Sequence, residues 1–72
     1  MFPEYSEYIV EYDEELLMVY LSGLTPEGYW EEICDFDDIN DPESFAHGYQ
    51  EALRADGKFC TVMPVLILHE DV

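Results

Sequence analysis

The balance of acidic and basic residues constrains this chain more than any other feature. Its 72 residues include 18 Asp and Glu against 2 Lys and Arg, which gives a formal net charge of −16. Nucleic-acid binding through a basic surface is therefore excluded, and repulsion among the carboxylates opposes a compact state. Apolar residues nevertheless make up 49% of the chain and aromatic residues 15%, more than disordered sequences usually contain. We expect one folded domain over residues 1–72, with a small core and low stability.

The charge is concentrated in the first part of the chain. Residues 1–43 contain 14 of the acids and neither base, whereas residues 44–72 contain the other 4 acids together with Arg54 and Lys58. No internal repeat and no Gly/Ser-rich linker separates the two parts. The pattern predicts a single domain with one acidic side.

Polarity alternates over residues 7–13, which predicts a first β-strand. One face carries Tyr8, Val10 and Tyr12, and the opposite face carries the acids Glu7, Glu11 and Asp13. The segment that follows is open to two interpretations. A turn at residues 13–15 and an apolar run at 16–21 favour a central strand covered on both faces. The alternative is a helix that begins at Asp13 and ends before Gly23, because Asp is a good N-cap and Leu and Met are good helix formers.

The sequence Thr-Pro-Glu-Gly at residues 25–28 predicts a turn before a third strand. Over residues 29–36, Trp30, Cys34 and Phe36 share one parity, but Glu32 interrupts the pattern. The register of this third strand therefore stays open.

Local signals predict one helix, from about Pro42 to Ala55. Asp41 is a good N-cap, Pro42 suits the first helical position, and Glu43 complements the positive end of the helix. Apolar side chains recur on one helix face, at Phe45, Tyr49, Ala52 and Leu53. We expect Gly48 to allow close packing on a sheet and Gly57 to end the helix.

A fourth strand is expected over residues 59–68. Pro64 marks a sheet edge or a bulge, because it cannot donate a hydrogen bond to a ladder. The run is too short to cross a membrane. Together the elements predict an α+β domain ordered β-β-β-α-β, with one helix packed on one face of a mainly antiparallel sheet of about four strands.

Neither a cofactor nor catalysis is expected. The potential zinc ligands are widely spaced, at Cys34, His47, Cys60 and His69, whereas structural zinc sites pair their ligands a few residues apart. We expect both cysteines to be reduced, buried thiols. His69 is expected to form the polar end of the last strand. A calcium loop starting at Asp35 would have Asn40 where glycine is needed. The chain shows no serine with His and acid partners and is short for a substrate pocket, so we expect a protein that is not an enzyme.

The acidic excess needs a functional explanation, because self-repulsion destabilises the fold. Three explanations are open: a nucleic-acid mimic, an acidic antidote or chaperone for a basic protein, and a salt-adapted domain. A comparison of lengths favours the mimic. Sixteen charges correspond to about 27 Å of duplex DNA, and a compact chain of this length has a radius of gyration near 11 Å and a diameter of roughly 29 Å.

Strand geometry also favours the mimic, since alternate residues of a strand stand about 6.7 Å apart, of the order of the phosphate step. Two acidic rows are expected, one of Glu7, Glu11 and Asp13 and one of Glu31, Asp35 and Asp37. Aromatic side chains beside them are candidate interface anchors. The candidate partner-binding residues are Glu7, Glu11, Asp13, Glu14, Glu15, Tyr29, Trp30, Glu31, Glu32, Asp35, Asp37, Asp38 and Asp41.

In its overall composition and in the acidic runs 11–15 and 31–41, the sequence resembles small DNA-mimic proteins made by bacteriophages and mobile elements. Such proteins block restriction enzymes, CRISPR effectors, uracil-DNA glycosylase or nucleoid proteins. The resemblance implies a stoichiometric inhibitor without a cofactor, whose partner is a basic nucleic-acid-binding host protein. Direct binding to nucleic acid or to a membrane is not expected. The oligomeric state is open and includes a homodimer.

The first four residues, Met-Phe-Pro-Glu, lack the basic region and apolar core of a signal peptide. The expected location is therefore the cytoplasm.

Overall fold

The elements follow the expected order. A computed structural model describes residues 5–65. It contains the strands β1 (Tyr8–Asp13), β2 (Met18–Leu24) and β3 (Trp30–Phe36), the helix α1 (Pro42–Ala55) and the strand β4 (Cys60–Pro64). The strands form one sheet in the order β3-β2-β1-β4. The α+β class and the order β-β-β-α-β are confirmed, and the sheet is mixed, because β1 pairs antiparallel with β2 and parallel with β4.

Helix α1 begins and ends where its local signals predict. The Asp41 carboxylate accepts hydrogen bonds from the Ser44 backbone N–H at 3.3 Å and from the Ser44 hydroxyl at 3.0 Å. Pro42 occupies the first turn, where a missing N–H leaves no partner unsatisfied. Gly57 has φ of 81° just past the last turn, a conformation that glycine adopts without steric cost.

The face that α1 turns to the sheet differs from the expected one at three positions. Ala46 is fully buried, whereas Ala52 and Gly48 are exposed. A Cβ added at Gly48 would meet nothing within 4 Å. The expectation that Gly48 permits close packing on the sheet is therefore wrong, and this glycine lies on the solvent side of the helix.

Strand β2 replaces the alternative helix, but it starts two residues later than expected. The Asp13 carboxylate accepts hydrogen bonds from the backbone N–H groups of Glu15 and Leu16, both at 3.0 Å, and so closes a turn. Leu16 and Leu17 belong to that turn and are 60% and 41% exposed. Within β2, buried residues alternate with half-buried ones. The sequence predicts coverage on both faces, but within residues 5–65 only the face towards α1 is covered.

A β-bulge in β3 explains the imperfect pattern of that strand. Leu21 lies opposite Cys34, but the next residue, Ser22, lies opposite Glu32, so that Ile33 is the extra residue. A bulge reverses the parity of the residues that precede it. Cys34 and Phe36 therefore face the helix, while Glu32 and Trp30 face away from it.

The fourth strand lies at a sheet edge, as its proline predicts. Phe59 precedes the strand and is 77% exposed, so the expected start at residue 59 is one residue early. Residues 66–68 of the expected strand, and His69, lie outside the described residues.

A small core lies between α1 and the sheet. Its buried residues are Val10, Val19, Leu21, Ala46 and Cys60. Phe36 of β3 and the helix residues Phe45 and Tyr49 add an aromatic cluster with ring centroids 5.2 to 6.2 Å apart. The Gln50 amide donates to the Cys60 carbonyl at 2.8 Å and joins α1 to β4.

Both cysteines are free thiols, Cys60 buried and Cys34 half-buried. Burial raises the pKa of each thiol; the carboxylates of Asp35 and Glu32 raise that of Cys34 further, while Arg54 acts in the opposite direction on Cys60. Two protonated thiols of low nucleophilicity result.

The molecule is flatter and longer than a sphere of this chain length. Its radius of gyration is 12.9 Å and its principal dimensions are 39, 27 and 19 Å. The longest dimension exceeds the ~27 Å of duplex that sixteen charges represent. Along this axis the charge per unit length is lower than that of the phosphates of duplex DNA. The expected match between the diameter of the protein and the length of duplex is therefore not observed.

Candidate partner-binding surface

Nine of the acids in the described chain occupy two adjoining regions. We call the side of the sheet that α1 leaves uncovered the open face; its exposed and half-exposed acids are Glu11, Glu32 and Asp35. We call the end of the molecule formed by the β1–β2 turn and the start of α1 the acidic end. Its acids are Glu14, Glu15, Asp37, Asp38, Asp41 and Glu43.

Strand pairing places the open-face acids around one tyrosine. Glu11 of β1 lies opposite Tyr20 of β2, and Tyr20 lies opposite Asp35 of β3. On the neighbouring pair, Ser22 lies opposite Glu32. Burial raises the pKa of Tyr20, and the charges of Asp13, Asp35, Glu32 and Glu11 raise it further. The Tyr20 hydroxyl is therefore a neutral donor among carboxylates, and it contacts the Met18 sulfur at 3.4 Å.

The bulge decides which acid of β3 joins this face. Before the bulge, Glu31 lies opposite Gly23 on the helix side of the sheet. There the Tyr5 hydroxyl donates to Glu31 Oε1 at 2.9 Å, and this hydrogen bond is the main reason that the pKa of Tyr5 is raised. The expected row of Glu31, Asp35 and Asp37 therefore does not form, and Glu32 with Asp35 takes its place.

Asp13 belongs to the folding of the turn more than to the surface. It is 6% exposed, and one of its oxygens accepts the two backbone hydrogen bonds of the β1–β2 turn. Beside it the open face is recessed into a shallow groove of about 350 Å³, lined in part by Glu11, Tyr20, Ser22 and Glu32. The expected row of Glu7, Glu11 and Asp13 thus presents only part of its charge to solvent.

The acidic end brings together acids that are far apart in sequence. The Ile39 N–H donates to the Leu17 carbonyl at 3.0 Å, so the loop that carries Asp37 and Asp38 is joined to the β1–β2 turn. Burial raises the pKa of Tyr12, and the charges of Glu43 and Glu14 raise it further. Helix start and β1–β2 turn therefore lie close to one tyrosine and to each other.

Both bases lie at the opposite end of the molecule, at the last turn of α1 and just after it. Arg54 there lines a small recess with Glu7 and Phe59. Glu7 therefore lies beside a base, at the opposite end of β1 from the acidic end. Among residues 5–65 one contact of ion-pair distance is present, between His47 Nε2 and Glu43 Oε2 at 4.0 Å on the helix surface. The acids of the open face have no Lys or Arg partner within the described chain.

The two candidate aromatic anchors lie at the edge formed by β3. Tyr29 follows the β2–β3 turn and is 69% exposed, and Trp30 is 47% exposed. Trp30 lies opposite Leu24 and shares the open face with Glu32. The structure thus joins Trp30, Glu32, Asp35 and Glu11 on one surface.

Two residues of this surface escaped sequence reasoning. Tyr20 and Ser22 were grouped with a strand expected to be buried on both faces or left unassigned. The signal that identifies them is the alternation of Val19 and Leu21 with polar side chains along β2.

Within residues 5–65, no three His, Cys, Asp or Glu side chains are grouped so that they could hold a metal ion. The helix of the described chain is neither long nor apolar enough to span a membrane.

Comparison of the chain with protein families, with curated proteins and with solved structures finds no match.

Proposed function

We propose that this protein is a stoichiometric inhibitor that mimics nucleic acid and occupies the DNA- or RNA-binding cleft of a basic host protein. It acts without a cofactor and without catalysis, in the cytoplasm, on a defence or DNA-processing protein. Targets of this kind include CRISPR effectors and restriction enzymes, which the acidic proteins of bacteriophages block.

One observation carries the proposal: the open face and the acidic end join into one surface with nine solvent-accessible acids and no Lys or Arg. Strands β1 and β3 lead directly from the open face into the two loops of the acidic end. Both bases lie at the far end of the molecule. Since self-repulsion opposes folding, such segregation is best explained by a partner that neutralises this surface.

Electrostatics favours a nucleic-acid-binding protein as that partner. A charge of −16 is repelled by phosphates and steered towards the basic channels that receive them. The strongest attraction is expected where the channel is deep and positively charged, because low-dielectric walls focus the field.

The proposal is tested by capturing partners from a bacterial lysate at low and high salt and measuring whether each captured protein still binds its nucleic acid. We expect a captured DNA- or RNA-binding protein, released by salt, whose nucleic acid competes with the inhibitor. A partner that binds both at once with unchanged affinities would contradict the proposal.

A matched pair of charge reversals localises the effect. The first variant combines Glu14→Lys, Glu15→Lys and Asp37→Lys at the acidic end. The control combines Glu27→Lys, Glu51→Lys and Asp56→Lys, which lie in the far turn, on the helix and at its end. Both change the net charge equally, so a salt-adapted domain should respond equally. For a nucleic-acid mimic, the acidic-end variant should associate with the partner much more slowly, and inhibit it much less, than the control variant.

A further inference from the structure

The open face has a composition unlike that of an ordinary solvated sheet surface. Apolar side chains from three strands lie half-exposed on it, namely Ile9, Met18, Leu24 and Met63. Trp30 at its edge is 47% exposed. Exposed apolar area that is rimmed by polar groups is typical of protein interaction sites. No element of the described chain covers this face.

Rings and carboxylates alternate across the open face. Tyr20 lies between Glu11 and Asp35 on adjacent strands, at spacings of about 5 Å. Along β3 the order on this face is Trp30, Glu32 and Asp35, with the first two one strand repeat apart, about 6.7 Å. Each carboxylate therefore has an aromatic ring within the reach of one long side chain.

This arrangement matches the chemistry of arginine. A guanidinium group pairs with a carboxylate through two hydrogen bonds and stacks flat on an aromatic ring, whereas a lysine ammonium is a strongly hydrated point charge. The groove beside Tyr20 is lined by the carboxylates of Glu11, Asp13 and Glu32 and by the apolar side chains of Leu16 and Val65. Such a groove suits the aliphatic stem and charged head of one basic side chain.

We infer that the open face is the contact surface for arginine side chains of the basic partner, while the acidic end steers the partner towards it. The inference rests on the proposed function and assigns the two regions different roles. Within the described chain the most exposed aromatic side chains, Tyr29, Trp30 and Phe59, lie away from the acidic end, where Tyr12 is half-buried. A second copy of the chain does not fit the open face, because carboxylates would then oppose carboxylates.

Titration of the isotope-labelled protein with an oligoarginine peptide and with an oligolysine peptide of equal length tests this inference by NMR and calorimetry. We expect tighter binding of oligoarginine and the largest amide shifts at Ser22, Glu32 and their neighbours. Equal affinity for the two peptides, or shifts confined to the acidic end, would overturn the inference.

Two charge-matched variants separate the regions. The open-face variant combines Glu11→Gln, Glu32→Gln and Asp35→Asn, and the acidic-end variant combines Glu14→Gln, Glu15→Gln and Asp37→Asn. The first should weaken oligoarginine binding at least ~tenfold and remove the preference over oligolysine, since direct contacts are lost. The second should weaken both peptides similarly and less. Equal losses in the two variants would overturn the inference.

The ring contribution is measured at Trp30. Trp30→Ala should weaken oligoarginine binding about two- to tenfold and Trp30→Phe less, with oligolysine little affected. Circular dichroism establishes that each variant is folded. Unchanged oligoarginine affinity in folded Trp30→Ala, or a dimer in sedimentation that the open-face variant abolishes, would contradict the assignment.

The peptide titrations test the arginine surface, and the lysate capture tests the proposed function, so either proposal can be refuted without the other. Arginine selectivity at the open face without a partner that competes with nucleic acid would refute the proposed function and leave the arginine surface standing. Competition with nucleic acid that depends on the acidic end alone would refute the arginine surface and leave the proposed function standing.

Discussion

The two faces of the sheet are built from the same strands but carry opposite properties. On the side of α1, Val10 and Val19 are fully buried and an aromatic cluster joins helix to sheet. On the open face, carboxylates surround a tyrosine and no described element covers them. Apolar burial that stabilises the fold is therefore concentrated on one face, and the opposite face is free to carry charge that opposes folding.

Strand β2 shows how closely the two properties are interleaved. Val19 and Leu21 are buried, while Tyr20 and Ser22 between them lie on the open face. Because side chains alternate between the two faces of a strand, residues that stabilise the core and residues on the open face follow one another along β2. Variants at adjacent positions should then have very different effects.

The largest effect is expected from Val19→Ala. Removing buried methyl groups loses apolar transfer energy and leaves a cavity, which together should lower the free energy of unfolding by about 2 to 3 kcal/mol. Ser22→Ala on the open face should change it by less than about 0.5 kcal/mol. Urea denaturation of both variants measures the difference. Similar losses would show that the two faces contribute equally to stability.

A second large effect is expected at Gly23, where the helix side of the sheet contacts the N-terminal segment. A Cβ here would lie 2.5 Å from Tyr5 Cγ. Gly23→Ala should therefore displace the Tyr5 ring, break its hydrogen bond to Glu31 and destabilise the protein by roughly 1 to 3 kcal/mol.

A double-mutant cycle checks the cause. In a Tyr5→Ala background the ring is absent, so Gly23→Ala should have a much smaller effect on the urea midpoint. Equal effects in both backgrounds would mean that the strand backbone, rather than the ring, rejects the methyl group.

Acids of different surroundings should respond in opposite directions. Asp13→Ala removes the acceptor of two backbone N–H groups and should destabilise the protein by about 1 to 2 kcal/mol. Asp37→Ala relieves repulsion at the acidic end and should raise the melting temperature at low salt. Added salt screens such repulsion, so the parent should melt higher as salt rises and the gain from Asp37→Ala should shrink. A melting temperature independent of salt would show that the acids are compensated within the fold.

The smallest effect is expected on the outer side of α1. Gly48→Ala adds a methyl group that meets nothing within 4 Å and should stabilise the protein by about 1 kcal/mol, the difference in helix propensity. Gly57→Ala is the control, because φ of 81° strains any residue with a Cβ and should destabilise. Thermal melts distinguish the two. Equal changes would contradict the position assigned to Gly48 outside the core.

Local sequence signals predicted the order of the helix and strands. They did not predict features that depend on contacts between distant parts of the chain. Asp41, Pro42 and Gly57 act within one helical turn, so the bounds of α1 follow from the sequence. The bulge at Ile33 depends on pairing with β2, and the parallel pairing of β4 with β1 depends on a crossover through α1. Neither is contained in an alternating pattern.

The candidate surface shows the same division. Composition identified the acidic segments, because it requires no geometry. Strand parity placed Glu31 in one row with Asp35, whereas the bulge puts Glu32 beside Asp35 and turns Glu31 to the helix side. Asp13 was taken for a surface acid because its two hydrogen bonds to the following turn are invisible in strand periodicity.

The bulge at Ile33 also bears on how the protein behaves at high concentration. Strand β3 is an outer strand of the sheet, and a regular outer strand offers its free N–H and C=O groups as a template for another chain. The extra residue interrupts the spacing of those groups, and Glu31, Glu32 and Asp35 place like charges along the same border. Sheet-to-sheet growth into aggregates is thereby disfavoured. The protein can therefore reach a high concentration without its sheets pairing with one another.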